Sequence, residues 1–281
     1  MGVARVLPAV VVLLAAVAFA QAAPTAPDLR DVMSARNHAM GGAFESLGYG
    51  AEVIVGNPAA LSQYKRYQIE GNGGWDPGQG YGYGSIAVAD STSALAAGIS
   101  YQFCTFGGEE RRWAHTTSLA LAYALAEFLH LGVTARYNVL VGASNTNSVT
   151  MNAGLVVKPA SFLSVGFSGH NLIPVYNSDL PRYFVFSVSG LFLEQLTPAF
   201  DLWMDFNQPT ARFDFRGGLE WLAAQSFPLR LGYQYDGITN KQYFGGGVGY
   251  FVEGSGIDLA YRHELGGGPG KLIALTLKLQ L

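Results

Sequence analysis

The residues of this 281-residue chain that could do chemistry are five histidines, one cysteine and a scattered set of carboxylates and serines. His38, His115, His130, His170 and His263 fall in no metal-ligand spacing, and there is no G-x-S-x-G nucleophile motif. His115 near Ser118 and His170 near Ser168 are the local pairs that could place a nucleophile beside a base. Both pairs read better as polar wall residues, so no enzyme and no cofactor are expected. The single cysteine, Cys104, excludes a disulfide framework and a cysteine-rich metal site, and reads as a small residue in a loop. Gly245-Gly246-Gly247 lies inside a strand-like segment, where it suggests a kink or close packing; Gly266-Gly267-Gly268 reads as a loop.

The charged residues carry more information through their spacing. Asp201 and Asp205, then Arg212, Asp214, Arg216 and Glu220, then Arg230 and Asp236, then Asp258, Arg262 and Glu264, then Lys278 all share the polar parity of their segments, as does Trp203. Alternation with a period of two places such residues on one face of a strand. In the last segment Ile273, Leu275, Leu277, Leu279 and Leu281 alternate with Ala274, Thr276, Lys278 and Gln280. Leu131 to Val139 repeats the pattern and turns Arg136 to the polar face. From Lys65 to the end, fourteen such segments follow one another, separated by turn residues.

Composition narrows the setting. Hydrophobic residues make up 49% of the chain and charged residues 13%, half the share of about 25% in soluble domains. The net charge of −3 offers no basic stripe, which excludes nucleic acid as a partner. Arg5, the apolar run Val10 to Ala18 and the small-x-small sites ending at Ala20 and Ala22 read as a secretory signal peptide over residues 1–22. No later run is long and apolar enough for a transmembrane helix.

An exported chain of this kind is either a soluble sandwich or a membrane barrel, and alternation arises in both. Segments of 9–12 residues match the roughly 9–11 tilted residues that cross a bilayer. The apolar sets are large, no helices are available to cover them, and lipid tolerates no open sheet edge. The expectation is an all-β, 14-stranded antiparallel transmembrane β-barrel over 65–281, preceded by an N-terminal luminal plug over 23–64. The even strand number puts both termini in the periplasm. Tyr67, Trp75, Tyr101, Trp113, Tyr123, Tyr137, Tyr233 and Tyr261 read as girdle aromatics in contact with outer-membrane lipid. The predicted lumen lining is Arg136, Asp201, Trp203, Asp205, Arg212, Asp214, Arg216, Arg230, Asp258 and Arg262. Fourteen strands enclose more space than wall side chains fill, so the preceding segment is available as a plug.

Ser34-Ala35-Arg36, Met40-Gly41-Gly42-Ala43 and Asn57-Pro58-Ala59-Ala60-Leu61 resemble the N-terminus of the FadL-type outer-membrane transport superfamily, including its PorV/PorQ-like branch. The chain has Ala60 where a second Gly is usual. The resemblance implies a 14-stranded barrel whose N-terminal segment folds into the lumen as a hatch, with Arg36, Met40, Gly41, Gly42, Asn57 and Pro58 shaping it. It implies passive transport of hydrophobic, fatty-acid-like small molecules, or alternatively a PorV-like docking or shuttle role in protein secretion or surface attachment. The last segment resembles the strand by which barrel assembly machinery recognises its clients, although it ends in Leu281 where Phe is usual. Transport predicts a continuous apolar pocket beside the plug and a gap in the wall; docking predicts no through-path.

Overall fold

The computed structural model describes residues 29–47, 50–106, 112–142, 145–175, 180–206, 212–237 and 239–281. The expected signal peptide and the linker Pro24–Pro27 lie outside the described residues. The alternating segments form fourteen strands: β1 (Tyr67–Asp76), β2 (Tyr81–Asp90), β3 (Leu95–Phe106), β4 (Arg112–Ala126), β5 (Leu129–Val141), β6 (Thr146–Ala160), β7 (Leu163–His170), β8 (Tyr183–Gly190), β9 (Leu196–Asp205), β10 (Arg212–Ala224), β11 (Phe227–Asp236), β12 (Lys241–Val252), β13 (Ser255–Glu264) and β14 (Lys271–Gln280). Each pairs antiparallel with its sequence neighbours, and β1 pairs with β14, with Gln68 opposite Gln280, so the barrel is closed. Closure leaves no edge with unpaired backbone groups.

Exposure separates the two faces. In β14 the leucines at 275, 277 and 279 are about half exposed, while Leu272, Ala274 and Thr276 are almost fully buried. The exposed face is apolar and points outward; the buried face is mixed and points into the lumen. This is the inverse of a soluble sandwich and fits a wall bathed in lipid. The connections are asymmetric too. Residues 127–128, 161–162, 225–226 and 253–254 make tight turns at one end, whereas at the other end the connections are longer, twelve residues between β7 and β8 and six between β13 and β14. The long-loop end is taken as the outer end.

The strands of the wall do not all reach the same height. β5 stays paired with β6 up to Thr146, opposite Leu140, but the β6–β7 ladder stops at Ala153, opposite Gly169. Above that point the chain following β7 fills the notch: Leu172 N–H donates to Met151 O at 2.8 Å and Thr150 Oγ1 donates to Ile173 O at 2.9 Å.

Residues 29–47 and 50–63 run inside this wall. A 3-10 turn (Leu29–Asp31) leads to α1 (Ala35–Ala39), then to 3-10 helices Ala51–Ile54 and Pro58–Ser62. Ser34 caps α1 by accepting from Asn37 N–H at 3.2 Å, and Asn57 caps the last helix by accepting from Ala59 N–H at 3.1 Å. Helix α1 ends at once because Gly41 (φ +66°) and Gly42 (φ +82°) take the left-handed region. Nearly every described residue from Val32 to Ser62 is buried.

Candidate functional site: the plugged lumen

Two rows of glycine let the plug lie backbone-to-backbone on the wall. Gly218 is opposite Gly232, and Gly232 is opposite Gly245. A Cβ at any of the three would collide with backbone of His38 to Gly41. The second row is Gly132 opposite Gly154; a Cβ at Gly132 would lie 2.5 Å from both Ala59 N and Pro58 C, and one at Gly154 would collide with the Asn57 side chain. Of the mid-strand glycines of β12, Gly245 and Gly247 thus serve close packing against the plug.

Polar groups then fix the plug at points around the circumference. Arg36 donates to Glu220 from Nε at 2.8 Å and from Nη2 at 3.0 Å. Arg230 donates to the same carboxylate and, at 2.6 Å, to Asp258, which Lys278 approaches at 3.2 Å. Phe44 and Glu45 N–H groups donate to Asp201 Oδ2 at 2.9 and 3.2 Å. Thr134 donates to Ile54 O, and the Asn57 amide donates to Leu155 O. At the outer end Tyr83 donates to Met33 O, Gln102 to Val32 O, and Arg262 to Asp31 at 2.9 Å. Burial alone would raise the Asp31 carboxyl, but the Arg262 guanidinium beside it holds it well below the usual carboxylate range. Burial, with Arg262 nearby, pushes His38 down to about 3.

Of the ten lumen residues read from parity, Arg136, Asp201, Trp203, Asp205, Asp214, Arg216, Arg230, Asp258 and Arg262 are buried on the inner face. Arg212 differs: as the first residue of β10 it is exposed at the outer rim, because the strand begins above the level that the plug fills. Cys104 is also displaced from its expected place. It lies within β3 rather than in a loop, because that strand continues to Phe106, and its side chain packs inward. Arg36, Met40, Gly41, Gly42, Asn57 and Pro58 all lie in the plug, and Arg36 reaches furthest into the wall's charge network. Trp203 sits in a stacked column that sequence reasoning missed: His170 on Tyr183 at 4.4 Å, Tyr183 on Trp203 at 4.8 Å, and the Arg216 guanidinium 3.7 Å from the Trp203 ring centre. The cross-strand pairs Tyr183–Asp205 and Asp214–Trp203 bring these rows together, and no single-strand pattern carries that register.

The two serine–histidine pairs part company. Ser118 is inward and His115 outward, where His115 meets Tyr101 Oη at 2.7 Å. Ser168 does meet His170 Nε2 at 2.9 Å and also donates to Glu45 at 2.9 Å. Glu45 approaches the same imidazole nitrogen as the serine, at 3.4 Å, so no carboxylate orients the ring from behind as a catalytic relay requires.

Above the plug the lumen is apolar on one side. Tyr81, Tyr83, Cys104, Phe106, Ala114, Leu140 and Leu272 come from β2–β5 and β14; Val32 from the plug and Leu180 from the β7–β8 loop join them. Another side carries Arg30, Tyr183, Trp203 and Arg216, while Arg262 lies directly opposite Leu272 at the edge of the apolar group. The cavities here are small, about 30 Å³ beside Arg30, Arg136 and Trp203 and about 10 Å³ beside Ser34 and Glu52. At the inner end a charged vestibule of about 250 Å³ is lined by Arg36, Glu220, Arg230 and Lys278. No continuous apolar pocket links the two ends among the described residues, because the glycine rows let the plug close the waist.

The CymD monoaromatic hydrocarbon channel is 14% identical, with 88% of this chain and 96% of that chain covered and a TM-score of 0.69. The Pseudomonas putida toluene transporter TodX is 12% identical over 88% of this chain and 97% of that one, with a TM-score of 0.70. A Pseudomonas aeruginosa FadL homologue is 11% identical over 93% and 99%, with a TM-score of 0.60. The fold is therefore that of the FadL-type channels, as the N-terminal motifs implied. No protein-family model matches the chain, and no curated protein matches it by sequence.

Proposed function

We propose that this protein is a passive outer-membrane transporter of hydrophobic small molecules, held closed by its N-terminal plug. The observation that carries the reading is the apolar side of the outer lumen, Tyr81, Tyr83, Phe106, Leu140, Leu180 and Leu272, lying above the plug. Such a compartment removes an apolar solute from water, at roughly 25 cal/mol per Å² of buried surface. A lumen serving ions or sugars has no use for it. The shared fold with hydrocarbon channels supports the same class of cargo. Above the plug the closed state leaves only about 30 Å³, less than the roughly 150 Å³ cavity known to admit benzene, so passage requires the plug to move. No feature of the described geometry favours a secretion-docking role.

The test is uptake by cells of an outer-membrane-bearing host that express the protein. Faster entry of a monoaromatic hydrocarbon or a long-chain carboxylate, with entry of a sugar of similar mass unchanged, is the expected result. Equal entry of all solutes with and without the protein overturns the reading.

A further inference from the structure

The outer surface of the wall carries one cross-strand pair of basic side chains in the outer half of its described strands. His263 of β13 and Lys271 of β14 are directly opposite each other and both point outward. Their level in the bilayer follows from the strand. From Leu281 to Lys271, β14 advances about 33 Å, which is about 25 Å along the membrane normal at a tilt of about 40°, the height of the apolar band of such barrels. Below Lys271 the outward column is purely apolar, Ile273, Leu275, Leu277 and Leu279. Beside it stand Trp75, opposite Ile273 and 60% exposed, and Tyr261, which stacks with His263 and places its hydroxyl 3.3 Å from Nδ1. Aromatics at this height mark the boundary between acyl chains and headgroups.

The Lys271 ammonium has no carboxylate within ion-pair distance among the described residues. Asp76 accepts from the Lys271 backbone N–H, not from its side chain, and Glu264 on the inner face is paired with Lys241. The imidazole Nε2 of His263 is likewise unengaged. Two donors thus project side by side at headgroup level above an acyl-compatible column, framed by a tryptophan and a tyrosine.

We propose that the outer face of β13–β14 binds the phosphate headgroup of an outer-leaflet lipid. Lys271 supplies the charge, His263 a second donor, and Ile273, Leu275, Leu277 and Leu259 the surface along which the acyl chains lie. The proposal rests on the orientation of the barrel with its long loops outward, and it stands whether or not the lumen transports anything.

Native mass spectrometry of the full protein in detergent tests it, with phosphatidic acid as probe and phosphatidylcholine as comparison. One cation near a membrane surface is worth roughly fivefold in affinity. The expected result is selective retention of phosphatidic acid, reduced about fivefold by Lys271→Gln and further by Lys271→Gln with His263→Gln. Lys65→Gln, at the opposite rim, leaves retention unchanged. Heat-modifiable gel migration confirms that each variant is folded. Retention unaffected by the double substitution overturns the proposal, and so does an equal loss with Lys65→Gln. Binding of inorganic phosphate as strong as that of the lipid also overturns it, since the site would then be for a free anion.

Discussion

Gly41→Ala tests the plug at its tightest point. Gly41 has φ +66°, and a Cβ built there lies 2.5 Å from Tyr233 O, 2.6 Å from Tyr233 N and 2.8 Å from Gly217 O. All three are backbone atoms of the paired strands β10 and β11, which cannot yield without breaking the ladder. The plug must therefore retreat by nearly 1 Å to reach ordinary contact. The left-handed backbone costs about 1 kcal/mol with a side chain, and overpacking of this kind costs about 1–3 kcal/mol. Together they amount to about 2–4 kcal/mol against the docked state of residues 35–47. Hydrogen exchange read by mass spectrometry measures this directly, because protection reports the local opening free energy. The amides of that stretch should exchange about 30-fold faster or more, while those of β10 and β11 keep their rates. Gly266→Ala is the control: it has φ +77° but no atom within 4 Å, so it carries the backbone strain without the collision. Unchanged protection in Gly41→Ala, or the same effect in the β strands as in the plug, refutes the close-packed plug.

Other substitutions probe the remaining contacts. Arg36→Ala removes two charge-assisted bonds to Glu220 and should cost about 3 kcal/mol of plug stability, seen as faster exchange around α1. Asn57→Ala removes both the cap on Ala59 N–H and the bond to Leu155 O, and should loosen residues 57–62 by about 1 kcal/mol, seen as faster proteolysis there. The docked plug should also weaken in acid. His38 is depressed from 6.5 to about 3 when docked, so the undocked segment takes up the proton first and docking stability falls as pH drops through that window. The loss at pH 5 is about 2 kcal/mol, read as increased exchange of α1 and abolished by His38→Asn. Asp31 adds nothing to the loss at pH 5, where its carboxyl is ionised both docked and undocked; its contribution fades only as pH falls below the ordinary carboxylate value of 3.8.

The wall was legible because its physics is local. Alternation in β14 or in Leu131 to Val139 states which face meets lipid, and one face in lipid forces closure. The notch between β6 and β7 was not legible, since it depends on where two ladders stop rather than on any pattern within a strand. The glycine rows show the same divide. Gly245-Gly246-Gly247 suggests a kink or close packing without deciding between them, and that Gly218 and Gly232 extend the row across three strands is a matter of register. The Trp203 column likewise needs Tyr183, Asp205 and Asp214 to be neighbours across β8, β9 and β10. Arg212 shares the parity of Arg216, yet parity gives the face and not the height, which is why it ends on the rim.

The central claim is that residues before the barrel close a lumen otherwise wide enough to pass solutes. Planar-bilayer conductance of the refolded protein, intact and with residues 24–64 removed, tests it most directly. The account predicts stable open steps from the truncated barrel and near-silence from the intact one. Equal conductance of the two folded proteins, whether both open or both silent, contradicts it.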